Sequence, residues 1–155
     1  MDYFAAAPDG LAAIRRLQVY LDGCGLDHSL LELVKLRASQ LNGCAYCLDM
    51  HTKDALAAGE TPQRLMALSA WHETPFYSDR ERAALAWTEA LTQIAGGVAD
   101  DLYAQMQYVF TDKELTDLTL AVVAINGWNR LAISFRTPAG SYRARRAAGP
   151  VPAPA

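Results

Sequence analysis

Apolar residues recur at helical spacing along most of the chain, and Gly, Pro and small polar residues punctuate them. Leu11, Ile14, Leu17 and Leu21 mark a first helix that Gly23 and Gly25 end. Asp27 to Ser29 opens a second, with Leu30, Val34 and Leu41 on one stripe, and Asn42-Gly43 closes it. A third runs from about Cys44 to Ala58, with Gly59 as its stop. Thr61-Pro62 restarts a helix with a cap and a proline in its first turn, and Pro75 breaks the next stretch. Ser78-Asp79-Arg80-Glu81 reads as a capping box for a helix reaching about Ile94, where Gly96-Gly97 interrupts. A short helix runs from about Asp100 to Tyr108. Thr111-Asp112-Lys113-Glu114 is a second capping box and opens the most apolar helix, which ends near Phe135. No segment alternates with period 2, so the pattern predicts an all-α chain of about seven helices.

Composition sharpens this without changing it. The 155 residues suit one domain, expected over 1–148, with a flexible Pro- and Ala-rich tail over 149–155. Alanine is abundant while Val and Ile are sparse, which favours helix over sheet. The net charge is −3, so no basic face recommends nucleic-acid binding. The cationic cluster of Arg143, Arg145 and Arg146 reads as a solvated helix end. No apolar run approaches the ~20 residues that a membrane span requires. Residues 1–10 lack the positive start and apolar run of a signal peptide. The expectation is a cytoplasmic protein without membrane contact.

The cysteines carry the candidate chemistry. There are three, too few and too odd a number for a disulfide framework, and two form the motif Cys44-Ala45-Tyr46-Cys47. A dithiol at a helix start meets unpaired N–H groups and partial positive charge, which predict a depressed thiol pKa. At ~100° per residue, Cys44, Cys47 and His51 share one side of the helix with Leu48 and Ala55. An imidazole there can take the proton of Cys47, because histidine ordinarily titrates near neutral pH. Asp49 and Lys53 fall on the other side and can pair at i, i+4. Two other readings stay open. Cys44, Cys47 and His51 are three plausible zinc ligands, although a structural site wants four. The cysteines also suit a core as small apolar residues. Cys24 reads as a buried bystander and His28 as a surface or helix-start residue.

With Glu32, twelve residues before Cys44, the segment through Asn42-Gly43 and Cys44-Ala45-Tyr46-Cys47-Leu48-Asp49-Met50-His51 resembles the active-site signature of alkylhydroperoxidase D-like proteins. These belong to the carboxymuconolactone decarboxylase superfamily. The resemblance spans roughly residues 10–140. It includes the stretches Ser78 to Trp87 and Ala124 to Arg130. It implies the all-helical alkylhydroperoxidase D-like fold, assembled as trimers or hexamers, with no cofactor. It also implies a thiol peroxidase acting on organic hydroperoxides or H2O2. Cys47 would attack the peroxide and become a sulfenic acid. Cys44 would donate a proton to the leaving group and then resolve the sulfenic acid as a disulfide. His51 and Glu32 would relay the proton that activates Cys47. Characterised peroxidases of the family regain their thiols from lipoyl-bearing partner proteins. Tyr46 stands where the archetypal peroxidase carries a histidine, which removes one proton donor. The dithiol itself argues against decarboxylation, since true decarboxylases of the family generally lack it.

Other enzyme and non-enzyme roles share these residues: a protein-disulfide oxidoreductase, or a redox sensor whose disulfide is only a switch. Locally, Ser29-x-x-Glu32 is a capping-box pattern and Lys35 an i, i+3 partner, so Glu32 also reads as a capping or surface residue. A buried relay carboxylate should have its pKa raised by desolvation. Asn126, Trp128 and Asn129, late in the most apolar helix, read either as packing over the dithiol or at a subunit contact, or equally as helix-capping or ordinary core residues.

Overall fold

The computed structural model describes residues 1–144, and among these it contains helices and no strand. Seven helices fall where the apolar spacing and caps put them. They are α2 (Pro8–Asp22), α3 (His28–Asn42), α4 (Ala45–Ala57), α5 (Pro62–Ala67), α6 (Asp79–Thr92), α7 (Asp100–Val109) and α8 (Asp112–Ser134). An eighth, the one-turn α1 (Tyr3–Ala6), was not expected. Asp2 caps it by accepting from the N–H groups of Phe4 and Ala5. Two 3-10 segments, Leu68–Glu73 and Ile94–Gly96, extend α5 and follow α6. The expected tail over 149–155, with Arg145 and Arg146, lies outside the described residues. Among the described residues no helix is long and apolar enough to cross a membrane.

Both capping boxes form. Ser78 and Thr111 accept from the N3 backbone N–H, while Glu81 and Glu114 reach back to the cap residue's own N–H. The third candidate does not form. The residue before α3 is Asp27, and Glu32 lies beyond the first turn with its side chain turned inward.

Helix α3 is the axis of the molecule and packs against α4, α6 and α8. Every residue from Leu30 to Leu36 is buried. Its faces serve two clusters. Leu30, Leu31 and Val34 meet Trp87, Met106, Leu118 and Val122, whereas Leu33 and Leu36 meet Leu68, Trp71 and Leu85. A helix enclosed all round is normally apolar all round. Here two positions in the enclosed stretch are Glu32 and Lys35, and the fold has to satisfy both charges internally.

Candidate functional site

The dithiol is placed by the turn between α3 and α4. Gly43 has φ +69°, a left-handed conformation that glycine adopts without a Cβ penalty. The N–H of Gly43 donates to the Gln40 carbonyl and that of Cys44 to the Ser39 carbonyl, closing α3. Cys44 then begins the next helix as its cap, and its Sγ accepts from the N–H of Cys47 at 3.4 Å. Cys44 and Cys47 are both reduced, and each is about 1 % exposed. Ala132 of α8 packs on the pair, with Tyr46 alongside.

Cys47 and His51 lie one helical turn apart on the wall of a cavity of about 890 Å³. Phe4, Trp128 and Tyr142 give that cavity an aromatic character. Glu32 and His51, nineteen residues apart in sequence, meet here: Nδ1 of His51 lies 2.9 Å from Oε2 of Glu32. The other oxygen, Oε1, accepts from Nζ of Lys35 at 2.9 Å. His28 stands at the rim with Nε2 3.9 Å from the same oxygen, a mostly exposed side chain at the start of α3 as its position suggested.

Two electrostatic expectations are corrected. The helix start does not depress Cys47. Burial pushes its thiol up to about 12, reinforced by the hydrogen bond with Cys44, while Asn129 and the Cys47 backbone pull the other way. Position explains this: the N-terminal N–H is spent on the Cys44 sulfur, and Cys47 sits inside. Glu32 is not raised either. Burial works to raise it, but the His51 hydrogen bond and charge, with Lys35, outweigh that and hold it at about 2. Glu32 is therefore a carboxylate at any ordinary pH. It accepts the Nδ1 hydrogen of His51, so in the neutral form of the ring the lone pair lies on Nε2.

The zinc reading is not supported by the grouping. Among the described residues, the metal-type ligand atoms that gather within 4.8 Å belong to Glu32, His51 and Asp54, without either cysteine. That trio is already paired: Tyr142 donates to Asp54 at 2.8 and 2.9 Å, and Lys35 sets a cation against Glu32. Asp49 and Lys53 pair as expected, at 2.7 Å, and Cys24 packs with the main core, apart from the dithiol. Sequence reasoning missed Lys35 as a buried partner and Tyr142 as a wall of the site. Lys35 carried a signal in its i, i+3 spacing from Glu32, read as a surface pair. Tyr142 carried none, since its partner is 88 residues away. Of the late α8 segment, Trp128 lines the cavity, and Asn129 is buried between Asn42, from which its oxygen accepts at 2.9 Å, and Ser39, to which its amide donates at 3.1 Å.

Comparison with known proteins identifies the family. Residues 5–90 match the carboxymuconolactone decarboxylase family. The uncharacterized protein YdfG of Bacillus subtilis (strain 168) is 39% identical over 142 residues, which cover 91% of this chain and 97% of YdfG. A protein of unknown function from Agrobacterium tumefaciens, described as a candidate antioxidant defence protein AhpD, superposes with a TM-score of 0.87 at 40% identity. That match covers 92% of this chain and 98% of the other. The debrominase Bmp8, in complex with 2,3,4-tribromopyrrole, superposes with a TM-score of 0.80 at 17% identity, covering 89% and 74%, and shares the fold. The chain thus belongs to the carboxymuconolactone decarboxylase family, as an all-α, AhpD-like member.

Proposed function

We propose that this chain is a thiol-dependent peroxidase that reduces organic hydroperoxides or H2O2 through a Cys44–Cys47 cycle. The observation that carries the reading is the Cys47, His51 and Glu32 constellation on one cavity wall, with a second thiol adjacent. With burial pushing Cys47 up, its resting sulfur at pH 7 is a neutral thiol. Attack therefore needs a base at the moment of reaction. Nε2 of His51 takes the Cys47 proton, and Glu32 stabilises the imidazolium without becoming protonated. The sulfur attacks the terminal peroxide oxygen, the O–O bond breaks, and Cys47 becomes a sulfenic acid. The leaving alkoxide, or hydroxide where the substrate is H2O2, takes the Cys44 proton and departs as alcohol or water. Cys44 then attacks the sulfenic sulfur, the sulfenic hydroxyl leaves as water with the proton held on His51, and the two electrons lost by the thiols have passed to the peroxide oxygens. A dithiol reductant, of the lipoyl-bearing kind, supplies two electrons that restore the thiols and is itself oxidised to a disulfide.

The cavity favours organic hydroperoxides over H2O2, because 890 Å³ with aromatic walls far exceeds what H2O2 needs. The debrominase neighbour shows that the fold alone does not choose the reaction. The test is stopped-flow thiol oxidation by a panel of hydroperoxides, with mass mapping of the disulfide and a brominated pyrrole as control. Turnover with a dithiol, abolished by Cys47→Ser, is expected. Cys44→Ser should stop after one sulfenic acid per chain. Oxidation without turnover would favour a sensor, and exchange with protein disulfides alone a disulfide oxidoreductase. Absence of a Cys44–Cys47 disulfide under any oxidant would end the redox reading.

A further inference from the structure

Helix α1 is a single turn, and none of its residues is buried. One turn does not hold itself together in water, because the first turn of a helix fixes several dihedral angles for one hydrogen bond. Among the described residues its hydrogen bonds are its own: Asp2 caps it, and the N–H of Ala7 donates to the Tyr3 carbonyl at 3.2 Å. What places it against the fold is aromatic. Tyr3 stacks on Phe135 with ring centroids 4.9 Å apart, and Phe4 on Trp128 at 6.4 Å. From α2, the Arg15 guanidinium lies 4.7 Å from the Phe4 ring centroid. The same rings bound the reaction space. Tyr3, Phe4 and Trp128 line the cavity of about 890 Å³ that has Cys47 and His51 on its wall, and Tyr46 and Tyr142 line it too. Phe4 is 38% exposed, so part of its ring stays free for a further partner.

We propose that Tyr3 and Phe4 are specificity-determining residues: α1 is the aromatic roof of the substrate site, and the ligand it selects is a phenylalkyl hydroperoxide whose ring packs against Phe4 and Trp128. The inference rests on the reading of Cys47 as the sulfur that meets the peroxide. Aromatic rings carry a negative face and a positive edge, and they pair offset or edge-on with centroids about 4.5–7 Å apart. A substrate ring therefore gains on these walls what a saturated group of equal size does not, and H2O2 gains nothing from them. Space is not limiting, since cavities for drug-sized ligands run to about 300–1,000 Å³. The substrate ring also adds a partner to the stacking that places α1, so the bound substrate orders its own roof.

The test follows tryptophan fluorescence of the reduced full chain on titration with 2-phenylpropan-2-ol, the alcohol that cumene hydroperoxide leaves, and with its saturated counterpart 2-cyclohexylpropan-2-ol. Trp71 and Trp87 are buried in the core, and Trp128→Phe identifies the part of the signal that comes from the cavity. The aromatic alcohol should bind about fivefold tighter than the saturated one. Phe4→Leu keeps an apolar side chain and removes the ring, at a position outside the core, and should bring the two affinities together. Tyr3→Leu should act in the same direction. Equal affinities in the wild type, or a preference that survives both substitutions, overturns the proposal. If α1 only packs, Phe4→Leu weakens both alcohols alike and leaves their ratio unchanged, which also overturns it. In stopped-flow, the ratio of kcat/KM for cumene hydroperoxide to that for H2O2 should fall about fivefold in Phe4→Leu, through KM. An unchanged ratio overturns the proposal and leaves the peroxidase reading standing. A chain that shows the alcohol preference and its loss, yet reduces no hydroperoxide, ends the peroxidase reading and leaves the aromatic seat in place.

Discussion

His51 and Lys35 divide the carboxylate of Glu32 between them, each holding one oxygen at 2.9 Å. The carboxylate thus faces a cation on one side and a proton-accepting imidazole on the other. In the proposed mechanism His51 takes the Cys47 proton, and a positive charge then appears opposite a negative charge already in place. Glu32→Gln keeps the shape and loses that charge. Peroxide turnover is expected to fall about 10²- to 10⁴-fold, measured by stopped-flow at pH 7. The loss should be mainly in kcat, since Gln still fills the cavity wall. Retention of full turnover would show that Glu32 only packs.

The same pair sets an acid limit on stability. Glu32 is held at about 2 in the folded chain against an ordinary value of 4.5. A depressed carboxyl stabilises the fold above its unfolded value, and the contribution is lost as pH falls toward the folded value. Between pH 5 and 2 the unfolding free energy should drop by about 3 kcal/mol from this group alone. Urea titrations of wild type and Glu32→Gln across that window would show it. The wild-type advantage should disappear at the acid end, and a parallel fall in both proteins would contradict the assignment.

Tyr142 closes the segment after α8 against α4. Its hydroxyl donates to both oxygens of Asp54, its carbonyl accepts from Lys53 at 3.1 Å, and Gly140 N–H donates to Asp49 at 3.0 Å. Burial and the Asp54 contact raise the phenol to about 12, so it stays a donor. Tyr142→Phe removes one bond to a charged acceptor, and a loss of about 1–3 kcal/mol is expected. Hydrogen exchange over 137–144 should accelerate with little change in α3. Because Tyr142 also lines the cavity, KM for a bulky hydroperoxide should rise more than that for H2O2. Equal changes for both would separate the segment from substrate binding.

Apolar side chains are left uncovered on adjacent helices. Val19 on α2 is 73% exposed and Val123 on α8 is 56% exposed, and the two helices pack together. Contact between copies would cover apolar surface of this kind. Sedimentation is expected to show a trimer or hexamer of the 16.9 kDa chain. Val123→Glu should shift it toward smaller species. A wild-type monomer at all concentrations would contradict this.

The helices and their ends were legible because their signals are local. Ser78 with Glu81 and Thr111 with Glu114 are three residues apart, and Gly43 at its left-handed turn ends α3 by a rule of single residues. Helix α1 was not legible, since it is held by partners far along the chain: Tyr3 stacks on Phe135 at 4.9 Å and Phe4 on Trp128 at 6.4 Å. The site divides the same way. Cys44, Cys47 and His51 come from one helix, and helical phase alone aligns them. Glu32 looked like a cap because Ser29 precedes it by three. Only the enclosure of α3 by three helices turns it inward and makes Lys35 a buried counter-charge. The thiol pKa was misjudged for a related reason. Spacing locates a helix start, but burial decides what a sulfur there experiences.

In the proposed cycle the sulfur that caps α4 is also one that must move. Forming a bond to Cys47 turns Cys44 Sγ away from the Cys47 N–H and weakens it as an acceptor, so the first turn of the helix loses its stopper on oxidation. The fold thereby favours the dithiol over the disulfide and raises the reduction potential of the couple. A site of this kind gives up its disulfide readily, which suits a centre that must be reset after every turnover.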